Sequence, residues 1–210
     1  MATRRRRTPD EAKRLILEAA GELLAAGGPA AVQVRAVAAA VGVSDAAVNH
    51  HFGTREQLLS ALLRFGGKKL KAELRAALDT WSDGPADPAD LVRTLSAPYA
   101  DGYAELALAL HQSGWRDTGS GLLDEIVDRL HAQARATCAD TGRTPPARET
   151  VQLTVAALHQ AVAMEPLFGA EFRRSAGLDA AAREQTLRWW TEILRSTLAG
   201  APTGSPGRDR

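Results

Sequence analysis

The 210-residue chain is poor in cysteine (one), methionine (two) and aromatic residues (5%). A single thiol, Cys138, can neither close an internal disulfide nor build a cysteine metal cluster, which suits a reducing compartment. Ile and Val together number 14 against 41 Ala and 26 Leu. Sheets draw on β-branched and aromatic residues, whereas Ala and Leu lead the helix scale, so the expected class is all-α. The longest uncharged run within an expected helix, Thr150 to Met164, is too short and polar to span a bilayer. The N-terminus passes through four arginines to Glu18 and Glu22 without an apolar stretch, so neither a signal peptide nor a twin-arginine export signal is expected. The histidines (50, 51, 111, 131, 159) lack HExxH spacing, and there is no GxSxG turn. Gly119-Ser120-Gly121 begins a glycine-rich pattern that Asp124 breaks, with no strand before it. These absences predict a cytoplasmic protein that is not an enzyme and carries no cofactor or metal.

The net charge of +1 conceals an asymmetry. Residues 1–75 carry +6 and residues 76–210 carry −5. A basic front on an acidic body suggests that the first third meets a polyanion, although a locally lopsided neutral protein is the plain alternative.

Residues 1–8 read as a basic arm. A first helix begins at Pro9, with Asp10 and Glu11 in its opening turn, and stops at Gly27-Gly28-Pro29. Short helices over about Gln33–Val41 and Ser44–His51 follow, joined by Gly42-Val43-Ser44, with Ser44 as the N-cap. A long helix from Arg55 to Trp81 contains Gly66-Gly67, a site for a bend or for close packing. Ser82 to Pro85 breaks the chain. Further helices are expected from Asp87-Pro88, over Tyr99–Ser113, Gly121–Asp140, Pro146–Phe168 and Asp179–Leu198. A disordered tail is expected from residue 200. The map is about nine helices: an N-terminal three-helix helix-turn-helix domain (9–54), then a linker helix and a larger helical bundle for ligand binding and dimerisation (55–199).

The two short helices and their tight link form a helix-turn-helix candidate. Val37, Ala38, Val41, Val48 and Phe52 supply the apolar faces, while Asp45, Ala46, Asn49 and His50 lie opposite and can face a groove. The stretches Ile16-x-x-Ala19-Ala20, Gly28, Val37-Ala38-x-x-Val41-Gly42-Val43-Ser44 and Val48-x-x-His51-Phe52-x-x-Arg55-Glu56-x-Leu58-Leu59 resemble the N-terminal domain of the tetracycline-repressor (TetR) family. The resemblance covers residues 14–59. It implies an all-α homodimer that represses or activates transcription, with a small-molecule pocket in the C-terminal domain.

By the same resemblance, Gln33, Ser44, His51 and Arg55 match backbone-contacting positions. Arg35, Asp45, Ala46, Asn49 and His50 fall where bases or nearby backbone are read. Arg35 can bind guanine O6 and N7 in bidentate fashion, and Asn49 can bind adenine N6 and N7. The arm, Arg4, Arg5, Arg6 and Arg7, is expected to add phosphate or minor-groove contacts. Plainer roles stand beside these: His51 as a turn cap, Asp45 as a helix N-terminal acid, Arg55 as a partner on the long helix. The chain departs from the family pattern at Val32 and Gln33, where Thr or Ser is usual, and at Asn49 and His50, where Tyr and another aromatic are usual.

In the C-terminal region, the last two helices are apolar on two faces, so two sides should be buried. Val155, Leu158, Val162, Leu187, Trp190 and Leu194 are nominated for an isologous interface with a second copy. Tyr99, Tyr103, His111, Trp115, His159, Met164 and Phe168 combine apolar bodies with polar or polarisable groups, and they are nominated for an effector pocket; ordinary core lining is the alternative. The expected partners are double-stranded DNA with a palindromic operator, an unknown small-molecule effector and a second copy, with no membrane. An architectural DNA binder without ligand response is the alternative, and a helical enzyme lacks its catalytic constellation.

Overall fold

The computed structural model describes residues 8–80, 87–116, 121 and 123–202. The arm residues Arg4–Arg7, the 82–85 break, Gly119-Ser120 and the tail beyond residue 202 lie outside the described residues. The chain is all-α in architecture. Its helices are α1 (Pro9–Ala31), α2 (Val34–Val41), α3 (Asp45–Phe52), α4 (Arg55–Thr80), α5 (Pro88–Pro98), α6 (Ala104–Gln112), α7 (Asp124–Thr141), α8 (Arg148–Ser175) and α9 (Arg183–Leu198). The described residues form two compact units, one from 8–69 and 98–116 and the other from 70–80, 87–97, 121 and 123–202.

In the first unit, α1 opens with a capping box in which the Thr8 hydroxyl accepts from the Glu11 N–H and the Glu11 carboxylate accepts from the Thr8 N–H. This satisfies two of the donors that a helix start leaves free. The helix breaks at Gly27 and Gly28, the latter at φ +66°, and a last turn, Pro29–Ala31, leads to the corner before α2. Ile16, Ala20 and Leu24 of α1 are buried with Val32, Val37, Ala38, Val48, Leu58, Leu59 and Leu62. The same core takes in Leu106 and Leu110 of α6, so packing carries this unit past the boundary expected at residue 54.

The single helix expected over 99–113 is divided. Gly102, at φ +89°, presses against the Leu24 carbonyl of α1, and a π-helical turn, Tyr99–Tyr103, precedes α6. Gly66 marks close packing: a β-carbon there would overlap the Tyr103 ring.

In the second unit, α7 packs on α8 and α9, and α8 packs on α9. Its buried side chains include Leu91, Leu95, Ile126, Leu130, Cys138, Val151, Val155, Leu158, Val162 and Leu194. Helix α8 runs seven residues beyond the Phe168 end expected from sequence, through Pro166 to Ser175. A buried ion pair ties this extension together. Glu165, Gly169 and Arg173 follow at four-residue spacing, and Glu165 accepts from Arg173 across the bare Gly169 backbone. Arg173 also donates from Nε and Nη2 to the Ala180 carbonyl, at 3.0 and 2.6 Å, which fixes the loop into α9. The tail expected to loosen from Gly200 is held for its first residues. Ala201–Pro202 pairs antiparallel with Arg143–Thr144, and the Arg143 guanidinium donates to the Ala199 and Gly200 carbonyls.

Candidate nucleic-acid interface

Gly42 ends α2 in the left-handed region (φ 72°, ψ 41°), and Val43 donates back to the Ala38 carbonyl at 3.0 Å. The chain therefore reverses within three residues, which a β-carbon at Gly42 would oppose through backbone strain. Ser44 then starts α3, its hydroxyl accepting from the Ala47 N–H at 3.2 Å. Asp45 occupies the first turn, where the helix dipole favours an acid.

One side of α3 anchors it. Val48 is fully buried and Phe52 packs against the same core. The other side carries Asp45, Ala46, Asn49 and His50, all exposed. His51 is half-buried, its ring 5.5 Å from that of His50 and 6.4 Å from that of Phe52. Arg35 is exposed on α2. The arrangement presents a short helix by its N-terminal turns, with a small residue, an amide and an imidazole outward. Such a surface suits a major groove.

Three side chains matched by resemblance to phosphate contacts have partners within the protein. Ser44 is the cap just described. Gln33 donates through its amide to the Ala30 carbonyl at 2.8 Å. Arg55 is half-buried, and it donates from Nε to the Val32 carbonyl at 2.8 Å and from Nη2 to the Pro29 carbonyl at 2.5 Å. Val32, where the family pattern has Thr or Ser, is wholly buried and serves the core. Helix α2 begins after Gln33, whose side chain makes no capping hydrogen bond.

Helix α4 is capped by Thr54 and Gln57. Gln57 Oε1 accepts from the Thr54 N–H at 2.8 Å, and the Thr54 hydroxyl accepts from the Gln57 N–H at 3.3 Å. Thr54-x-x-Gln57 is a capping-box pattern visible in the sequence itself. Backbone N–H donation at this helix start, the Thr54 hydroxyl and Arg55 hold the Glu56 carboxyl below its ordinary range.

Residues 16–62 match the family model described as bacterial regulatory proteins, tetR family. Over these residues the chain is similar to the tetR family, and the match ends at residue 62. Over 110 residues, 49% of this chain, the protein is 38% identical to the HTH-type transcriptional repressor Rv3405c of Mycobacterium tuberculosis, covering 55% of it. The same figures relate it to the HTH-type transcriptional regulator Mb3439c of Mycobacterium bovis. The match thus spans about half the length of these curated relatives. Two solved structures share the fold. The multidrug binding protein EbrR, complexed with imidazole, is 23% identical with a TM-score of 0.54, and the match covers 97% of this chain and 100% of EbrR. The TetR family member SCO1917 from Streptomyces coelicolor is 22% identical with a TM-score of 0.51, and the match covers 89% and 98%.

The nominated effector residues of this chain fall in both units. Tyr103 and Trp115 pack against the core of the first unit, Tyr99 is half-buried there, and His111 is exposed. Burial pushes the Tyr99 hydroxyl up to about 12 and raises that of Tyr103, with Asp101 contributing to the latter. In the second unit His159 and Met164 are half-buried, and Phe168 is 40% exposed. Burial lowers the His159 imidazole below its usual range. A cavity of about 430 Å³ opens between α8 and α9, lined among others by Ala157, Met164, Phe172, Arg173, Leu187 and Trp190.

The nominated interface residues divide as well. Val155, Leu158, Val162 and Leu194 are buried inside the second unit and have no surface to offer a partner. The outward apolar side belongs to the neighbouring stripe: Leu153 (64% exposed), Phe172 (61%) and Trp189 (56%), with Leu187 and Trp190 half-buried beside them. Among the described residues there is no His/Cys/Asp/Glu group able to hold a metal, and no helix is long and apolar enough to cross a membrane.

Proposed function

We propose that the chain is a sequence-specific DNA-binding transcriptional repressor that acts as a homodimer on a palindromic operator and responds to a small-molecule effector. The observation that carries this reading is α3, anchored by Val48 and Phe52 and outwardly displaying Asp45, Ala46, Asn49 and His50. The repressor function named for the Mycobacterium tuberculosis relative supports it. In this reading α2 lies across the DNA backbone and α3 enters the major groove by its N-terminal half. Asn49 and Arg35 read base edges, Ser44 and His51 meet phosphates, and the arm Arg4–Arg7 adds sequence-independent affinity.

A second copy covers the exposed α8–α9 stripe, which is rich in the aromatic residues that such interfaces favour. Two copies related by a two-fold axis match a two-fold symmetric operator. An effector in the helical bundle shifts the population of α4 positions, and so the spacing of the two α3 helices. The imidazole held by EbrR and the apolar cavity beside Met164 favour ligand response.

The test is selection of bound duplexes from random DNA at a fixed salt concentration, repeated with candidate effectors. The expected result is a two-fold symmetric consensus, bound at least about a thousandfold more tightly than unrelated duplex. A shallow ratio without consensus would identify an architectural binder and overturn the reading.

A further inference from the structure

We propose that Arg55 is a positioning residue of the DNA-binding domain: it locks the start of α4 to the α1–α2 corner and thereby sets the pose of α2. This inference rests on the DNA-binding reading above and assigns Arg55 a role different from phosphate contact. Three observations meet at this corner.

First, α1 breaks at Gly27-Gly28, so its last turn, Pro29–Ala31, ends in carbonyls that the main helix cannot satisfy. Second, the Arg55 guanidinium reaches back over more than twenty residues and holds the Pro29 carbonyl of that turn and the carbonyl of Val32, which caps it, at 2.5 and 2.8 Å. The planar fork fixes direction as well as distance, which a lysine ammonium does not. Third, α2 has no side-chain N-cap, and the Gln33 amide is itself turned onto Ala30. The pose of the first turn of α2 therefore depends on what holds Val32, three residues before Arg35.

Two of the five guanidinium N–H donors of Arg55 are committed to the protein in a half-buried setting. A phosphate contact would have to draw them away from carbonyls left under-satisfied. The consequence is regulatory as well as structural. Arg55 is the first residue of α4, so a displacement of that helix start is carried directly to the helix bearing Arg35. Helix α3 has anchors of its own, Val48 and Phe52, and is less dependent on this lock.

The experiment compares the full-length parent with Arg55→Ala and Arg55→Lys on the duplex the parent selects from random DNA and on an unrelated duplex, over a salt series. Deletion of residues 2–7 serves as the control for a lost phosphate contact. For Arg55→Ala the affinity for the selected duplex should fall about tenfold or more. Binding to the unrelated duplex and the log–log salt slope should stay as in the parent, and Arg55→Lys should recover part of the loss. A slope reduced by about 0.9, with both duplexes weakened alike, would make Arg55 a phosphate contact and overturn the proposal. Unchanged affinity with only a lower melting temperature would overturn it too, leaving a structural pin.

Amide hydrogen exchange on the free protein judges the lock separately. The amides of Val32, Gln33 and Val37, which bond to Pro29, Ala31 and Gln33 carbonyls, should exchange faster in Arg55→Ala while those of α3 do not. Unaltered exchange there sinks the lock. A parent that selects no sequence sinks the DNA-binding reading instead, and the exchange result still stands.

Discussion

Replacing Asn49 by alanine isolates direct readout from everything else α3 does. The Asn49 side chain is exposed, and its backbone carbonyl, which accepts from the Gly53 N–H at 2.7 Å, is retained in the variant. Alanine is the better helix former by roughly half a kcal/mol, so the fold and its melting temperature should be kept or slightly raised. The amide offers a donor and an acceptor together, the pattern adenine presents at N6 and N7 in the major groove. Losing that pair costs about 1–3 kcal/mol in each half-site, or roughly five- to 150-fold in affinity per half-site. Selection from random DNA with Asn49→Ala should relax the preference at one symmetric pair of operator positions and leave the others intact. A uniform loss across all sequences would place Asn49 on a phosphate. No loss would remove it from the interface and count against the groove-facing assignment of α3.

Three further outcomes follow from the packing. Phe172→Glu combined with Trp189→Glu changes only exposed positions, so the protomer should fold while desolvating two carboxylates disfavours association; sedimentation at micromolar concentration should give a monomer, and an unchanged dimer would refute the α8–α9 face. Gly66→Ala forces a methyl group into the Tyr103 ring and should destabilise the first unit by about 1–3 kcal/mol in denaturant titration, with Gly66→Ala/Tyr103→Ala coupled rather than additive. Full additivity would deny the contact. Because burial lowers the His159 imidazole from its ordinary 6.5, the native state binds fewer protons than the unfolded chain; stability is complete above that pH and is lost as pH falls through the lower native value. Melting temperatures between about pH 7 and pH 5 should therefore fall less steeply in His159→Gln than in the parent, and parallel curves would exclude His159 as a source of acid lability.

The helix-turn-helix end was legible because its signals are local. Pro9 with acids in the first turn, Gly42 at the reversal and Ser44 at the cap each act on residues within one helical turn, and the structure has all three. The exposed and buried sides of α3 also follow from helical spacing, which puts Val48 and Phe52 on one face. Arg55 is the instructive exception. Its partners, Pro29 and Val32, lie 26 and 23 residues back in the chain, and no periodicity announces a guanidinium folded onto a helix end. Leu106 and Leu110 were illegible for the same reason, since an apolar stripe on α6 does not name the core it enters.

The last two helices show where periodicity stops being informative. Two apolar stripes on α8 establish that two sides avoid water, but the stripes are nearly equivalent by residue type, so sequence could not say which one faces inward. The packing decides it. Val155, Leu158 and Val162 are buried inside the unit, and Leu153, Phe168 and Phe172 stay exposed. The Glu165–Gly169–Arg173 row then matters more than either stripe. With Arg173 bonded to both Glu165 and the Ala180 carbonyl, the loop into α9 is fixed from within, and the direction in which Trp189 and Trp190 are presented is fixed with it. In the proposed dimer, the surface that meets its own copy has to be held rigid before the copy arrives, because each side chain ordered on binding subtracts from the affinity. The buried ion pair supplies that rigidity at the cost of desolvating two charges, a cost reduced here because the guanidinium bonds the carboxylate and the Ala180 carbonyl takes two further donors.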